Sequence, residues 1–265
     1  MNVAGRTVLL TGATGGLGNA IARALGGRGA KLILSGRRTD VLEPLADEVG
    51  GRALAADLTD RADVDRLAAE AGDVEILVAN AGIPADGAVL EYTPDQIDRA
   101  LDVNLRAPLI LARTLSEPMV ARGTGHIVFM SSLAGKVATG NSAVYAATKF
   151  GLRGFAWGLR QDLREAGVGV SVVCPGLIRD AGLFADTGIA PPPGSATRTA
   201  ADVGDAVVAA IERDRAEIVV GSLGEKAWGA LGALTPSTLA FVNRRFGGND
   251  VAAALAATEA HRAKR

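Results

Sequence analysis

Residues 6–18 run from an apolar segment, Val8-Leu9-Leu10, through Thr11 into Gly12-Ala13-Thr14-Gly15-Gly16-Leu17-Gly18, which holds four glycines in seven positions. Residues 6–11 have the length of a strand. Residues 19–25 place Ile21, Ala22 and Leu25 on one helical face. A strand that passes into a helix through so short a turn needs small residues at fixed places. Gly12 permits the tight turn, Gly16 lets backbone approach a bound group, and Gly18 lets the helix pack close to the sheet. The helix then points its first N–H groups and the positive end of its dipole at that group, which suits a pyrophosphate. The spacing is Thr11-Gly12-x-x-x-Gly16-x-Gly18 rather than Gly-x-Gly-x-x-Gly. A merely flexible turn is the alternative, and the flanking strand and helix favour the dinucleotide reading.

The rest of the chain alternates in the same way. Strands are expected at 31–34, 52–56, 74–79, 126–130, 168–174 and 217–220, and helices at 41–49, 60–71, 145–165 and 203–213. A long helix begins at Pro94, in keeping with proline's place in a first turn. Thr199-Ala200-Ala201-Asp202 resembles a capping box. Such alternation predicts an α/β fold, a doubly wound parallel sheet with right-handed crossovers.

Three features follow strand ends. Ser35-Gly36-Arg37-Arg38 has no acid to hold a ribose 2′-hydroxyl. Gly36 leaves room there, and two guanidinium groups suit a 2′-phosphate; a solvated basic pair is the alternative. NADP(H) is the expected cofactor, with NAD(H) as the other possibility. Asp57 can cap the next helix or accept from an adenine amino group, and the sequence alone favours capping. Asn80-Ala81-Gly82 puts small residues where a ligand approaches closely. Asn104 sits on an otherwise apolar helix face, either as a satisfied core amide or as part of a polar relay.

The second constraining stretch is 131–149. Tyr145 and Lys149 are one helical turn apart on one face. A phenol, with a pKa of ~10, is a poor proton carrier near neutrality. A lysine cation nearby favours the phenolate and makes it a usable acid/base. Ser132, thirteen positions before Tyr145, ends the apolar strand 126–130. Its hydroxyl is placed to bond a carbonyl oxygen as charge develops there. Alone, Tyr-x-x-x-Lys also describes a helix with a core tyrosine and a solvated lysine.

Composition narrows the classes. In 265 residues, 48% hydrophobic and 22% charged, the chain is globular. A net charge of -1 and only 4% aromatics argue against nucleic acid as a partner. Cys174 is the only cysteine, so an intrachain disulfide is impossible, and the strand position reads as a small buried residue. The opening residues lack a basic segment followed by an apolar one, and the apolar run at residues 8–10 is too short for a bilayer. A cytoplasmic protein with no membrane partner is the expectation. His126 and His261 have no metal-ligand spacing, and no metal is expected.

Taken together, Thr11-Gly12-x-x-x-Gly16-x-Gly18, Asp57, Asn80-Ala81-Gly82, Asn104, Ser132, Tyr145-x-x-x-Lys149 and Pro175-Gly176 resemble the short-chain dehydrogenase/reductase family in its one-domain form. They stand in that family's order and spacing over about residues 6–220. The resemblance implies a Rossmann-type fold, a doubly wound parallel sheet of about seven strands flanked by helices, and hydride transfer between a nicotinamide cofactor and a carbonyl or alcohol substrate. It implies that Tyr145 is the acid/base, that Ser132 orients the substrate oxygen, and that Lys149 lowers the Tyr145 pKa and binds the nicotinamide ribose. It implies that Asn104 holds a water in a proton relay. Cofactor contacts are implied for Gly12, Thr14, Gly15, Gly16, Leu17 and Gly18. They are implied also for Arg37, Arg38, Asp57, Leu58, Asn80, Ala81 and Gly82, and for Pro175, Gly176 and Ile178. One departure stands out: Asp180 occupies the place where the family commonly has a threonine on the nicotinamide carboxamide. The helix holding Tyr145 forms a four-helix interface in this family, so a homodimer or homotetramer is implied; packing of its aromatics on the sheet is the alternative. A non-catalytic scaffold has no use for the intact Ser132, Tyr145, Lys149 and Asn104 set.

We read residues 1–265 as one domain. Residues 177–198, with Leu183, Phe184, Ile189 and Pro191-Pro192-Pro193, have no regular pattern and are expected to form a lid over a fairly hydrophobic substrate. Residues 221–265 form a helical extension with helices expected at 225–234, 236–246 and 250–264. Its apolar residues, among them Trp228, Leu231, Leu239, Phe241, Val242 and Phe246, could close the pocket, extend an interface or rest on a membrane. Arg244 and Arg245 beside Phe246 and the basic tail from His261 mildly favour the membrane, but so few charges usually mark a solvated face.

Overall fold

The structure, a computed structural model, describes residues 1–182, 185, 196–235, 237, 238, 257 and 258. The expected helices at 236–246 and 250–264 and most of the expected lid lie outside the described residues. The strands are β1 (Thr7–Thr11), β2 (Lys31–Gly36), β3 (Arg52–Ala55), β4 (Ile76–Ala79), β5 (Gly125–Met130), β6 (Val168–Pro175) and β7 (Glu217–Val220). They form a parallel seven-stranded sheet in the order β3-β2-β1-β4-β5-β6-β7. The order reverses between β1 and β4, and a crevice therefore opens beyond their carboxyl ends.

The helices are α1 (Gly16–Gly26), α2 (Thr39–Val49), α3 (Arg61–Ala71), α4 (Pro94–Leu101), α5 (Ala107–Arg122), α6 (Ala143–Leu163), α7 (Ala200–Glu212) and α8 (Leu223–Leu234). Side chains alternate across each strand, and the two faces bury different layers. Val8, Leu10, Val78, Val128 and Val173 pack with Ile21 and Leu25 of α1 and Val203, Val207 and Ile211 of α7. Leu9, Leu77, Ile127, Phe129, Val172 and Cys174 pack with Leu67 of α3, Leu111 and Leu115 of α5 and Leu152 of α6. Phe129 and Phe155 meet edge to face, their centroids 5.7 Å apart. Both layers are continuous and apolar, as a parallel sheet covered on both sides requires. Burial also pushes the Cys174 thiol up to about 12, so the residue is packed and inert.

Several boundaries differ from the sequence reading for identifiable reasons. Helix α1 begins at Gly16, inside the glycine-rich segment, because helix propensity is overridden where the turn must stay short. The helix from Pro94, closed at its start by the Thr93/Gln96 capping box, does not run on regularly. Residues Asp102–Arg106 form a π turn before α5, and Asn104 sits within it. The Thr199/Asp202 capping box forms as read. Asp60, not Asp57, caps α3 by accepting from Ala62 N at 2.9 Å. Asp57 accepts instead from Thr59 N and Oγ1, at 3.0 and 2.9 Å.

His126 of β5 is buried, with Nε2 2.8 Å from Ser171 Oγ. A Cβ at Gly169 would lie 2.3 Å from His126 Nδ1, so only glycine fits beside it. Burial pushes its pKa down to about 4, outweighing the nearby Asp214 carboxylate, while Arg160 and the N-terminus add to the lowering. The folded value lies below the unfolded ~6.5, so stability is complete above pH 6.5 and is lost as pH falls towards 4. Replacing His126 with Gln is expected to shrink the loss of unfolding free energy between pH 7 and pH 4.5 by about 2 kcal/mol, measured by urea denaturation.

Candidate active site

The crevice at the sheet reversal is a cleft of about 640 Å³. Its first wall is the turn after β1. Gly12 has φ +66°, and a Cβ there would lie 2.6 Å from Ala81 Cα. A Cβ at Gly18 would lie 2.1 Å from the Gly12 carbonyl oxygen. These two positions accept no other residue without moving the backbone. No side chain caps α1, and Gly16, Leu17 and Gly18 of its first turn line the cleft beside Thr14 and Gly15. Backbone N–H groups at an uncapped helix start are the feature that accommodates phosphate.

The β1 and β4 ends are stitched together across the reversal. Thr11 Oγ1 accepts from Asn80 N and Ala81 N, both at 3.1 Å. Asn80 Nδ2 donates to the carbonyls of Thr11 at 3.1 Å and Gly12 at 3.2 Å. Asn80 thereby fixes the glycine-rich turn and places Ala81 and Gly82 on the cleft wall. At the end of β2, Arg38 donates through Nη2 to the Thr14 carbonyl. A Cβ at Gly36 would come within 2.9 Å of Thr14 Cγ2. Arg37 and Arg38 are both exposed and line the cleft, as do Asp57 and Leu58. The donor set at this end, uncapped helix N–H groups and two guanidinium groups, fits a dinucleotide bearing a further phosphate.

At the other end, Tyr145 and Lys149 stand one turn apart on α6, with Lys149 Nζ 5.5 Å from the phenol ring centroid. Lys149 is 4% exposed and donates to the Met130 carbonyl at 3.0 Å. Burial pushes its pKa down to about 8, so it keeps its proton at pH 7. Ser131 Oγ donates to the Lys149 carbonyl at 3.0 Å and ties β5 to α6. A Cβ at Gly135 would lie 2.3 Å from that hydroxyl. Ser132 lines the cleft, and its Oγ accepts from Ala134 N at 3.1 Å. Ser132, Tyr145 and Lys149 therefore face the same cleft as the glycine-rich turn.

Asn104 is fully buried. Its Oδ1 accepts from Ile83 N at 2.7 Å and its Nδ2 donates to Ile83 O at 2.9 Å, so the side chain is a satisfied amide that pins the segment after β4. It lies close to Lys149 all the same. A Cβ at Gly82 would meet Asn104 Oδ1 at 3.4 Å and Lys149 Nζ at 3.5 Å.

Pro175, Gly176 and Ile178 line the cleft where β6 ends, together with Ala181 and Gly182. Asp180 does not line it. Its Oδ1 accepts from Ala200 N at 2.8 Å, at the start of α7. The aspartate is a structural tie rather than a stand-in for the family's threonine, and Arg179 and Arg198 bond beside it, Arg179 N to Arg198 O at 3.0 Å.

Other wall residues were not singled out in the sequence: Asp86, Leu133, Thr139, Ser142 and Glu225. Only Ser222-x-x-Glu225 carries a local signal, the capping-box pattern at the start of α8. That pattern announces a helix start and says nothing of where the carboxylate reaches.

The sequence model of the short chain dehydrogenases matches residues 6–188. The chain is 35% identical over 257 residues to the ketoacyl reductase HetN of Nostoc sp., covering 92% of this chain and 90% of that protein. It is 34% identical over 184 residues to the 3-oxoacyl-[acyl-carrier-protein] reductase FabG of Escherichia coli, covering 67% and 75%. Among solved structures, a short-chain dehydrogenase from Sphingobium yanoikuyae in complex with NADPH superposes with a TM-score of 0.78 at 28% identity, covering 88% and 94%. The chain belongs to the short-chain dehydrogenase/reductase family of oxidoreductases.

Proposed function

We propose that this protein is an NADP(H)-dependent ketoreductase whose substrate is a 3-oxoacyl thioester or a comparably apolar ketone. The observation that carries the reading is the convergence of Ser132, Tyr145 and Lys149 with the glycine-rich turn and two arginines in one cleft. Relatives named as ketoacyl reductases support the substrate class. Leu133, Ile83, Val103 and Leu177 give the wall an apolar character that fits an acyl chain.

In this reading the first turn of α1 and Arg37 and Arg38 hold the cofactor's phosphates, and Asp57 and Leu58 border its adenine. Lys149 holds the nicotinamide ribose, and the bound cofactor supplies the hydride. Ser132 Oγ donates to the substrate carbonyl oxygen and orients it. Tyr145 gives its proton to the same oxygen in the reductive direction. The Lys149 cation favours the resulting phenolate, which is why burial that leaves it protonated at pH 7 is compatible with the role. Asn104, at the π turn near Lys149, supports a water that returns the proton to Tyr145. The described residues act as one Rossmann-type domain, to which α8 adds a helix beyond β7.

The protein is further inferred to work in the cytoplasm as a homodimer or homotetramer. No helix of the described residues is long and apolar enough to cross a membrane. Phe150 and Trp157 of α6 and Ile110 of α5 are each more than a third exposed, which supports a helical interface between copies.

Replacing Tyr145 with Phe removes the proton donor and leaves the ring. Turnover is expected to fall by about 10²- to 10⁴-fold, while NADPH titration followed by nicotinamide fluorescence stays near the wild-type curve. Retained turnover would refute the assignment. Replacing Arg37 with Asp is expected to weaken NADPH binding by about tenfold or more and to leave NADH binding little changed, in the same titration. Size-exclusion chromatography with light scattering is expected to show a mass of at least two chains.

A further inference from the structure

The cleft wall formed by residues 175–178 is held from α8, a helix that follows the segment matched by the family. Glu225 Oε1 accepts the N–H of Leu177 at 2.8 Å, and its Oε2 accepts the N–H of Ser222 at 2.7 Å. Ser222 Oγ in turn accepts from Glu225 N at 3.2 Å, which completes a capping box. In a capping box the glutamate serves its own helix. Here the same carboxylate also takes up a backbone N–H from a different segment, and it lines the cleft.

The seat of this carboxylate is tight on two sides. A Cβ at Gly176 would lie 2.3 Å from Oε1, and a Cβ at Gly221 would lie 2.9 Å from Oε2. Gly176 itself donates to Val220 O at 2.9 Å, which keeps the loop in line with β7. Further along α8, a Cβ at Gly229 would come within 3.1 Å of Leu133 Cδ2 and 3.3 Å of Lys136 Cε. Leu133 directly follows Ser132. Helix α8 therefore rests at once on the segment carrying Ser132 and on the loop carrying Ile178.

We propose that Glu225 is a positioning residue that latches the 175–178 loop to α8 and so fixes the nicotinamide side of the cleft relative to Ser132. The inference rests on the oxidoreductase reading above. Both carboxylate oxygens accept backbone N–H groups, so Glu225 acts through the loop and carries no proton for the reaction. Its effect is a matter of length. An aspartate at the same helical position can still complete a capping box, as Asp202 does at the start of α7. It is one methylene too short to keep the Leu177 bond as well.

The test compares Glu225→Asp with Ser222→Ala. The first keeps the cap and breaks the latch; the second weakens the cap and keeps the latch. NADPH affinity is read by nicotinamide fluorescence, turnover with a short 3-oxoacyl thioester, and folding by thermal unfolding. Glu225→Asp is expected to bind NADPH about tenfold more weakly, equivalent to ~1.4 kcal/mol, and to lose kcat, with an unfolding midpoint close to wild type. Ser222→Ala is expected to unfold at lower temperature and to bind NADPH like the wild type. A purely structural role would move the midpoints and leave both affinities alike, and equal affinities overturn the proposal. Wild-type protein that binds no NADPH would refute the functional reading itself, whereas normal wild-type binding with Glu225→Asp unchanged refutes the latch alone.

Discussion

The close approach of backbone to backbone at the sheet reversal sets everything else. Gly12 lies so near Ala81, and Gly18 so near the Gly12 carbonyl, that a single methyl group at either place would collide. That proximity brings the ends of β1 and β4 together and lets α1 begin at once. The Thr11 hydroxyl and the Asn80 amide then satisfy the backbone groups that a crevice would otherwise leave without partners. The opening of the cleft is thus a consequence of parallel topology, and its shape is a consequence of missing side chains.

The end of the cleft at Tyr145 and Lys149 works on the opposite principle, since it buries polar groups that would ordinarily stay wet. Lys149 and Asn104 lie within the protein, and burial of a cation is unfavourable unless it is bonded. Lys149 finds the Met130 carbonyl, Asn104 finds both backbone groups of Ile83, and Ser131 braces the α6 backbone beside them. The same desolvation that lowers the lysine's pKa places its charge in a medium of low polarity, 5.5 Å from the centroid of the Tyr145 ring. Asn104 is thus at once a satisfied core amide and a neighbour of Lys149 across Gly82.

Much of this was legible in the chain because the features are local. The glycine spacing, the Tyr145/Lys149 interval and the alternation of apolar runs with helical patterns each need only a few neighbouring residues to state their meaning. The errors came where a local pattern met a tertiary demand. Helix α1 starts among glycines that propensity would exclude. The helix from Pro94 passes through a π turn that no periodicity announces. Asp60 displaces Asp57 as the cap of α3, because two aspartates three residues apart offer the same local signal and only the path of the chain chooses between them.

By itself the sequence determined the parallel α/β class, the place of the crevice and some of the residues that face it, since these follow from period, spacing and the presence or absence of a Cβ. Only the tertiary structure decided the partners of groups far apart in the chain. It sent Asp180 to the start of α7 rather than into the cleft, and it brought Glu225 back across 48 residues to the N–H of Leu177. The physical reason is that a carboxylate accepts from any N–H within reach, and reach across a fold is set by how helices pack on the sheet, which no short window of sequence contains.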